Sequence, residues 1–165
     1  MPGRYLSVTG GRELRALARD LRGHADRKEI NARLRRELRF VAKEMIPPVR
    51  AAIMAIPSKG QSAARGRASL RRKMASATQV AVRTTGGSAG VKLWVNPRRM
   101  PPGQGSLPGY MEGEGRWRHP TFGSEPWFTQ TPHPYFYRTV TPLIPRAERA
   151  AEQVLDSIAD EIERG

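Results

Sequence analysis

The sequence predicts an α+β fold: long N-terminal helices and a C-terminal helix packed on a small antiparallel β-sheet, with long irregular loops between them. Three observations carry this. Apolar residues recur at helical spacing through 12–56 and again through 147–162. The period falls to two within 80–95. Prolines and glycines crowd 57–67 and 97–109.

The 165 residues suit one domain, 1–165, and the 38% hydrophobic content with eleven aromatics implies a modest core. Residues 1–10 lack a period and read as an arm. Leu14, Leu17, Ala18 and Leu21 fall at helical spacing until Gly23. A longer helix follows, with Ile30, Leu34, Leu38, Val41 and Met45 in one apolar stripe and Arg33, Arg35, Arg36, Arg39 and Lys43 around the rest. Pro47-Pro48 kinks or ends it, since each proline removes a donor and crowds the preceding turn. Val49 to Ile56 continues as a short helix. Residues 57–67 form a basic loop, and 68–77 add a helical turn or two.

The alternation of Val80 and Val82, then of Val91, Leu93 and Val95, reads as two strands joined by a hairpin through Thr85 to Gly90. Residues 97–109 hold four prolines and three glycines and are read as a long loop. Neither period runs through 115–130, which is nevertheless rich in aromatics. At the C-terminus Thr141-Pro142 offers an N-cap and a first-turn proline, with Pro145 delaying the regular start. Ala147, Ala151, Val154, Ile158 and Ile162 mark a buried face; Glu148, Glu152, Asp156, Asp160, Glu161 and Glu163 make the other face acidic.

The net charge of +14 is uneven: residues 1–99 carry +17 and residues 100–165 carry −3. Such a split suits contact with a polyanion or subunits meeting through opposite charge. Arg65, Arg67, Arg71, Arg72 and Lys73 are the candidate cluster for duplex phosphates or an acidic partner. No aromatics interleave them, which argues against base stacking and for non-specific contact.

Enzymatic chemistry finds little support. Cysteine is absent, and His24, His119 and His133 have no metal-ligand spacing. No nucleophile elbow occurs, and Gly103-Gln104-Gly105 lacks the third glycine of a dinucleotide loop. Glu112 and Glu114 have no evident partner acid. The expectation is no catalysis, no cofactor and no metal. No apolar run reaches membrane-spanning length, and no secretory leader is evident, so no membrane partner is expected.

Trp117, His119, Phe122, Trp127 and Phe128 are the candidate subunit or partner interface, because aromatics mixed with arginine are typical of interface centres. Covering the domain's own core is the competing reading. The segment Arg118-His119-Pro120-Thr121-Phe122-Gly123, then Trp127 and Gln130, then Pro134-Tyr135-Phe136 before a last helix, resembles the tail-completion (tail-component) family of long-tailed bacteriophages and prophages. The family's Glu-aromatic-Gly turn is here replaced by Glu112-Gly113 or displaced to Phe122-Gly123, leaving the strand register there open. The resemblance implies a non-enzymatic virion protein of the neck, assembled in the host bacterial cytoplasm. It implies a homo-oligomeric, hexameric ring between the head connector or stopper and the tail terminator or tail tube, with duplex DNA in its lumen. Another neck component, a tail terminator or head-completion stopper, and a non-specific nucleic-acid-binding protein are the alternatives.

Overall fold

The computed structural model describes residues 7–10, 16, 26–57, 69–84, 90–121 and 124–164. The fold is α+β, with helices and two small antiparallel sheets, as expected. Two compact units interleave along the chain. One takes in Ser7–Pro47, Gln79–Trp94 and Thr141–Gly165; the other takes in Pro48–Thr78 and Val95–Val140.

The first of these units is built on helix α1, Arg27–Lys43, and helix α6, Ile144–Arg164. Leu34 and Leu38 of α1, Val82 and Ile158 of α6 form its buried cluster, with Ile30, Val80, Val91, Ala151, Val154, Leu155 and Ile162 packed against it. Full burial of each leucine contributes about 2 kcal/mol. The apolar stripes read from the sequence thus meet each other and the strands. Glu29 in the first turn of α1 and Lys43 in the last complement the helix dipole. Ion pairs Arg33–Glu161 and Arg146–Glu44 flank the two helices.

Three strands form this unit's sheet, in the order β1-β3-β2, where β1 is Ser7–Gly10, β2 is Thr78–Arg83 and β3 is Gly90–Val95. β1 runs antiparallel to β3, with Ser7 opposite Trp94 and Gly10 opposite Val91. Part of the expected arm is therefore a strand. Its four residues are too few to show a period, and pairing with β3 supplies the hydrogen bonds that local sequence does not advertise. The helix expected over 12–21 lies outside the described residues apart from Ala16, as do the connection at 85–89, loop residues 58–67 and His24.

Helix α2 (Ile46–Ala55), which belongs to the other unit from Pro48 on, has Pro47 and Pro48 in its first turn. There a missing N–H costs nothing, so the prolines open this helix, and α1 ends at Lys43 just ahead of them. Helix α3, Leu70–Ser76, is capped by Ser69, whose Oγ accepts from the Arg72 N–H at 3.2 Å.

The proline-rich stretch after β3 is more ordered than a loop. Asn96 caps a 3-10 turn at Pro97–Arg99. Gly103, at φ 74°, follows Pro102 in a turn closed by the Gln104 N–H on the Pro101 carbonyl, the sequence pattern of a type II turn. Helix α4, Leu107–Glu112, begins inside the expected loop, with Pro108 in its first turn where the ring is tolerated.

The stretch expected to be irregular holds a hairpin, β4 (Trp117–Thr121) against β5 (Ser124–Gln130), with a bulge between Pro120 and Thr121. Short helix α5, Phe136–Val140, and a 3-10 turn at Thr141–Leu143 then precede α6, so the helix starts at Ile144 and Pro145 sits in its first turn.

Candidate interface

The β4–β5 hairpin organises the aromatic segment. Its register sets Trp117 opposite Gln130, Arg118 opposite Thr129 and His119 opposite Phe128. Successive residues alternate faces, so Trp127 and Phe128 project from opposite sides. Trp127 is 48% exposed and Phe128 51%. The Arg118 guanidinium lies over the Trp127 ring, 5.9 Å from its centroid, as the diagonal relation across the ladder allows. Trp117 is half-buried and stacks on Tyr110 with centroids 5.6 Å apart and planes at 17°. Phe122 lies outside the described residues.

The hairpin's base is clasped. The His133 N–H donates to the Met111 carbonyl at 2.9 Å. Two residues further on, the Glu112 carboxylate accepts the N–H groups of Tyr135 and Phe136 at 2.8 Å each and of Tyr137 at 3.0 Å. These are donors that open helix α5 and have no partner within it. A negative charge on them is favoured by the helix dipole as well. Glu112 is thus a structural cap for helix α5. The chain entering the hairpin and the chain leaving it are held together at this point, and Trp117 leans on α4 through Tyr110.

Beside this clasp the Tyr135 phenol is buried, with no hydrogen-bond partner for its oxygen among the described residues. Burial pushes its pKa well above the ordinary phenol value, and the Glu112 charge pushes it further the same way.

The basic cluster divides. Arg65 and Arg67 lie outside the described residues. Arg71 is half-buried, and its Nη1 donates to the carbonyls of Met54 at 2.9 Å and Ile56 at 2.7 Å. In return Arg50 of α2 donates through Nε to the Ala75 carbonyl at the end of α3, at 3.0 Å. Each helix lends an arginine to the other's C-terminal carbonyls, which lack intrahelical donors. Arg71 therefore serves the fold, while Arg72 and Lys73 stay exposed.

A second basic surface was not singled out by the sequence. Ala32, Arg35, Arg36, Arg39, Phe40 and Lys43 line a shallow groove on α1, and Phe40 is 69% exposed. A four-residue recurrence of cations was the available signal. Among the described residues no group of three His, Asp or Glu side chains could hold a metal, and no helix is long and apolar enough to cross a membrane. Comparison with family models, with curated proteins and with solved structures finds no match to this chain.

Proposed function

We propose that this chain is a structural virion protein of the phage neck, forming a ring that joins the head connector to the tail tube and lets genome DNA pass. One observation carries the reading: a two-stranded hairpin, clasped at its base by Glu112, that exposes Trp127 and Phe128 on opposite faces. A two-stranded ribbon is marginal in water by itself. Large aromatics on both of its faces favour a partner that covers them, and this hairpin is the segment that resembles the tail-completion family. The charge split gives the ring a basic surface to set toward DNA or an acidic connector.

Electron microscopy of the purified full-length chain tests the reading. Rings with an open centre support it; monomers that coat duplex DNA support the nucleic-acid-binding alternative. Co-expression with the products of adjacent genes separates the neck roles, since a tail-completion protein bridges connector and tail tube whereas a stopper or terminator engages one side. A protein lining a DNA channel serves passage and not capture. Its duplex binding is therefore weak, indifferent to base sequence, and lost as salt rises.

A further inference from the structure

We infer that copies of this chain join head to tail, the basic face of α1 in one copy meeting the acidic face of α6 in the next. This deepens the ring reading and rests on it. Arg35, Arg39 and Lys43 recur at intervals of four on α1, on the side away from buried Leu34 and Leu38. All three are exposed, and none has a carboxylate partner among the described residues. Glu148, Glu152 and Asp156 recur at the same intervals on α6, also exposed and also without a cationic partner among the described residues. At the helical rise each row is about 12 Å long. The two rows are opposite in sign and match in spacing and length.

Like charges four apart repel along a helix, so each row works against its own helix until countercharge covers it. Among the described residues of one chain that relief is not given: the pairs beside the two helices, Arg33–Glu161 and Arg146–Glu44, use other residues. Phe40 favours a protein partner over nucleic acid. It stands 69% exposed beside the basic row, and a phosphate backbone offers it no apolar cover. On α6, Ala159 lies beside the acidic row by helical spacing and is itself half-buried. An acidic row carried on the same compact unit also repels DNA approaching that unit. Because the joined surfaces differ, each contact leaves a basic row free at one end and an acidic row at the other. That is a heterologous interface, which closes into a ring or runs on as a filament.

The test uses the full chain at low salt, with mass measured by light scattering and native mass spectrometry. The variant Arg35→Glu/Arg39→Glu/Lys43→Glu and the variant Glu148→Lys/Glu152→Lys/Asp156→Lys are each expected to weaken assembly at least tenfold. Mixed one to one they are expected to assemble again, in alternation, because each supplies the charge the other lacks; both sets combined in one chain should self-assemble. The milder Arg35→Gln/Arg39→Gln should weaken assembly with an unchanged circular dichroism spectrum, which guards against simple misfolding. Reversed variants that assemble like wild type overturn the inference and leave the ring reading intact, as does a mixture that fails although both variants are folded. A wild-type chain that stays monomeric overturns both. Loss of duplex-oligonucleotide binding in the basic-row variant, with assembly unchanged, overturns the inference and assigns that row to DNA.

Discussion

Glu112 caps a helix that starts at Phe136, twenty-four residues further along the chain, by accepting the Phe136 backbone N–H on its carboxylate at 2.8 Å. Both carboxylate oxygens are used, because Oε1 accepts from Tyr137 while Oε2 takes Tyr135 and Phe136. Glu112→Ala leaves three donors without this acceptor and is expected to cost about 1–3 kcal/mol in urea unfolding. Glu112→Gln keeps one acceptor oxygen and should fall between wild type and alanine. Equal stability of all three would remove the clasp from the account of the hairpin.

Arg71 and its neighbours should separate in the same assay. Arg71→Ala removes the donor that serves both Met54 and Ile56, and about 1–2 kcal/mol of stability is expected to go with it. Arg72→Ala and Lys73→Ala remove exposed cations and should stay within about 0.5 kcal/mol of wild type. Only these latter two are then free to weaken salt-sensitive duplex binding without unfolding the protein. A duplex-binding loss confined to Arg71→Ala would reverse this assignment.

Tyr135 is expected to set an alkaline limit to the stability of the protein. Its folded-state pKa is raised, by burial first and the Glu112 charge second, so the folded form holds the phenol proton more tightly than the unfolded chain does. That stabilisation is fully present below about pH 10 and is lost as pH climbs beyond it, at about 1.4 kcal/mol per pH unit. Tyr135→Phe deletes a hydroxyl that has no partner among the described residues. It should therefore be neutral or slightly stabilising at pH 7 and should flatten the decline above pH 10. Unfolding titrations at pH 7 to 11 on both proteins check this; an unchanged alkaline slope in the phenylalanine variant would exclude Tyr135 as its source.

The parts of this fold that were legible in the sequence are those whose signal is periodic. Leu34 and Leu38 on α1, Ile158 on α6 and Val82 on β2 announced their burial by spacing alone, and they form one cluster. The β4–β5 hairpin was illegible because Pro120 and Pro126 interrupt it and alternation fails. In a two-stranded ribbon both strands are edges, where a proline need not donate to the ladder, so the usual argument against a strand does not apply. Strand Ser7–Gly10 was too short to carry a period. Glu112 was invisible as a cap because its partners lie more than twenty residues away, and capping rules read only neighbours in sequence. For the site, the aromatic segment was found, but the division between Trp117 on Tyr110 and half-exposed Trp127 under Arg118 needed the register.

That division leads to the sharpest expectation for the interface. Trp117 is half-buried against Tyr110, so Trp117→Ala gives up a stacked aromatic pair, worth about 0.5–1.5 kcal/mol beyond the area it buries, and should lower the stability of the protomer itself. Trp127 and Phe128 are about half exposed and stand on opposite hairpin faces, so Trp127→Ala and Phe128→Ala should leave the far-UV circular dichroism and the urea midpoint close to wild type. Their cost should appear only in association: truncating an aromatic interface anchor typically weakens binding by about 2 kcal/mol or more, some thirtyfold. Arg118→Ala is the companion test. It removes the cation over the Trp127 ring without removing the ring, and should weaken association less than Trp127→Ala does. If Trp127→Ala instead unfolds the protomer, the ring belongs to the core and the hairpin is no docking arm. If both Trp127→Ala and Phe128→Ala fold and assemble with wild-type affinity, neither face of the hairpin meets a partner.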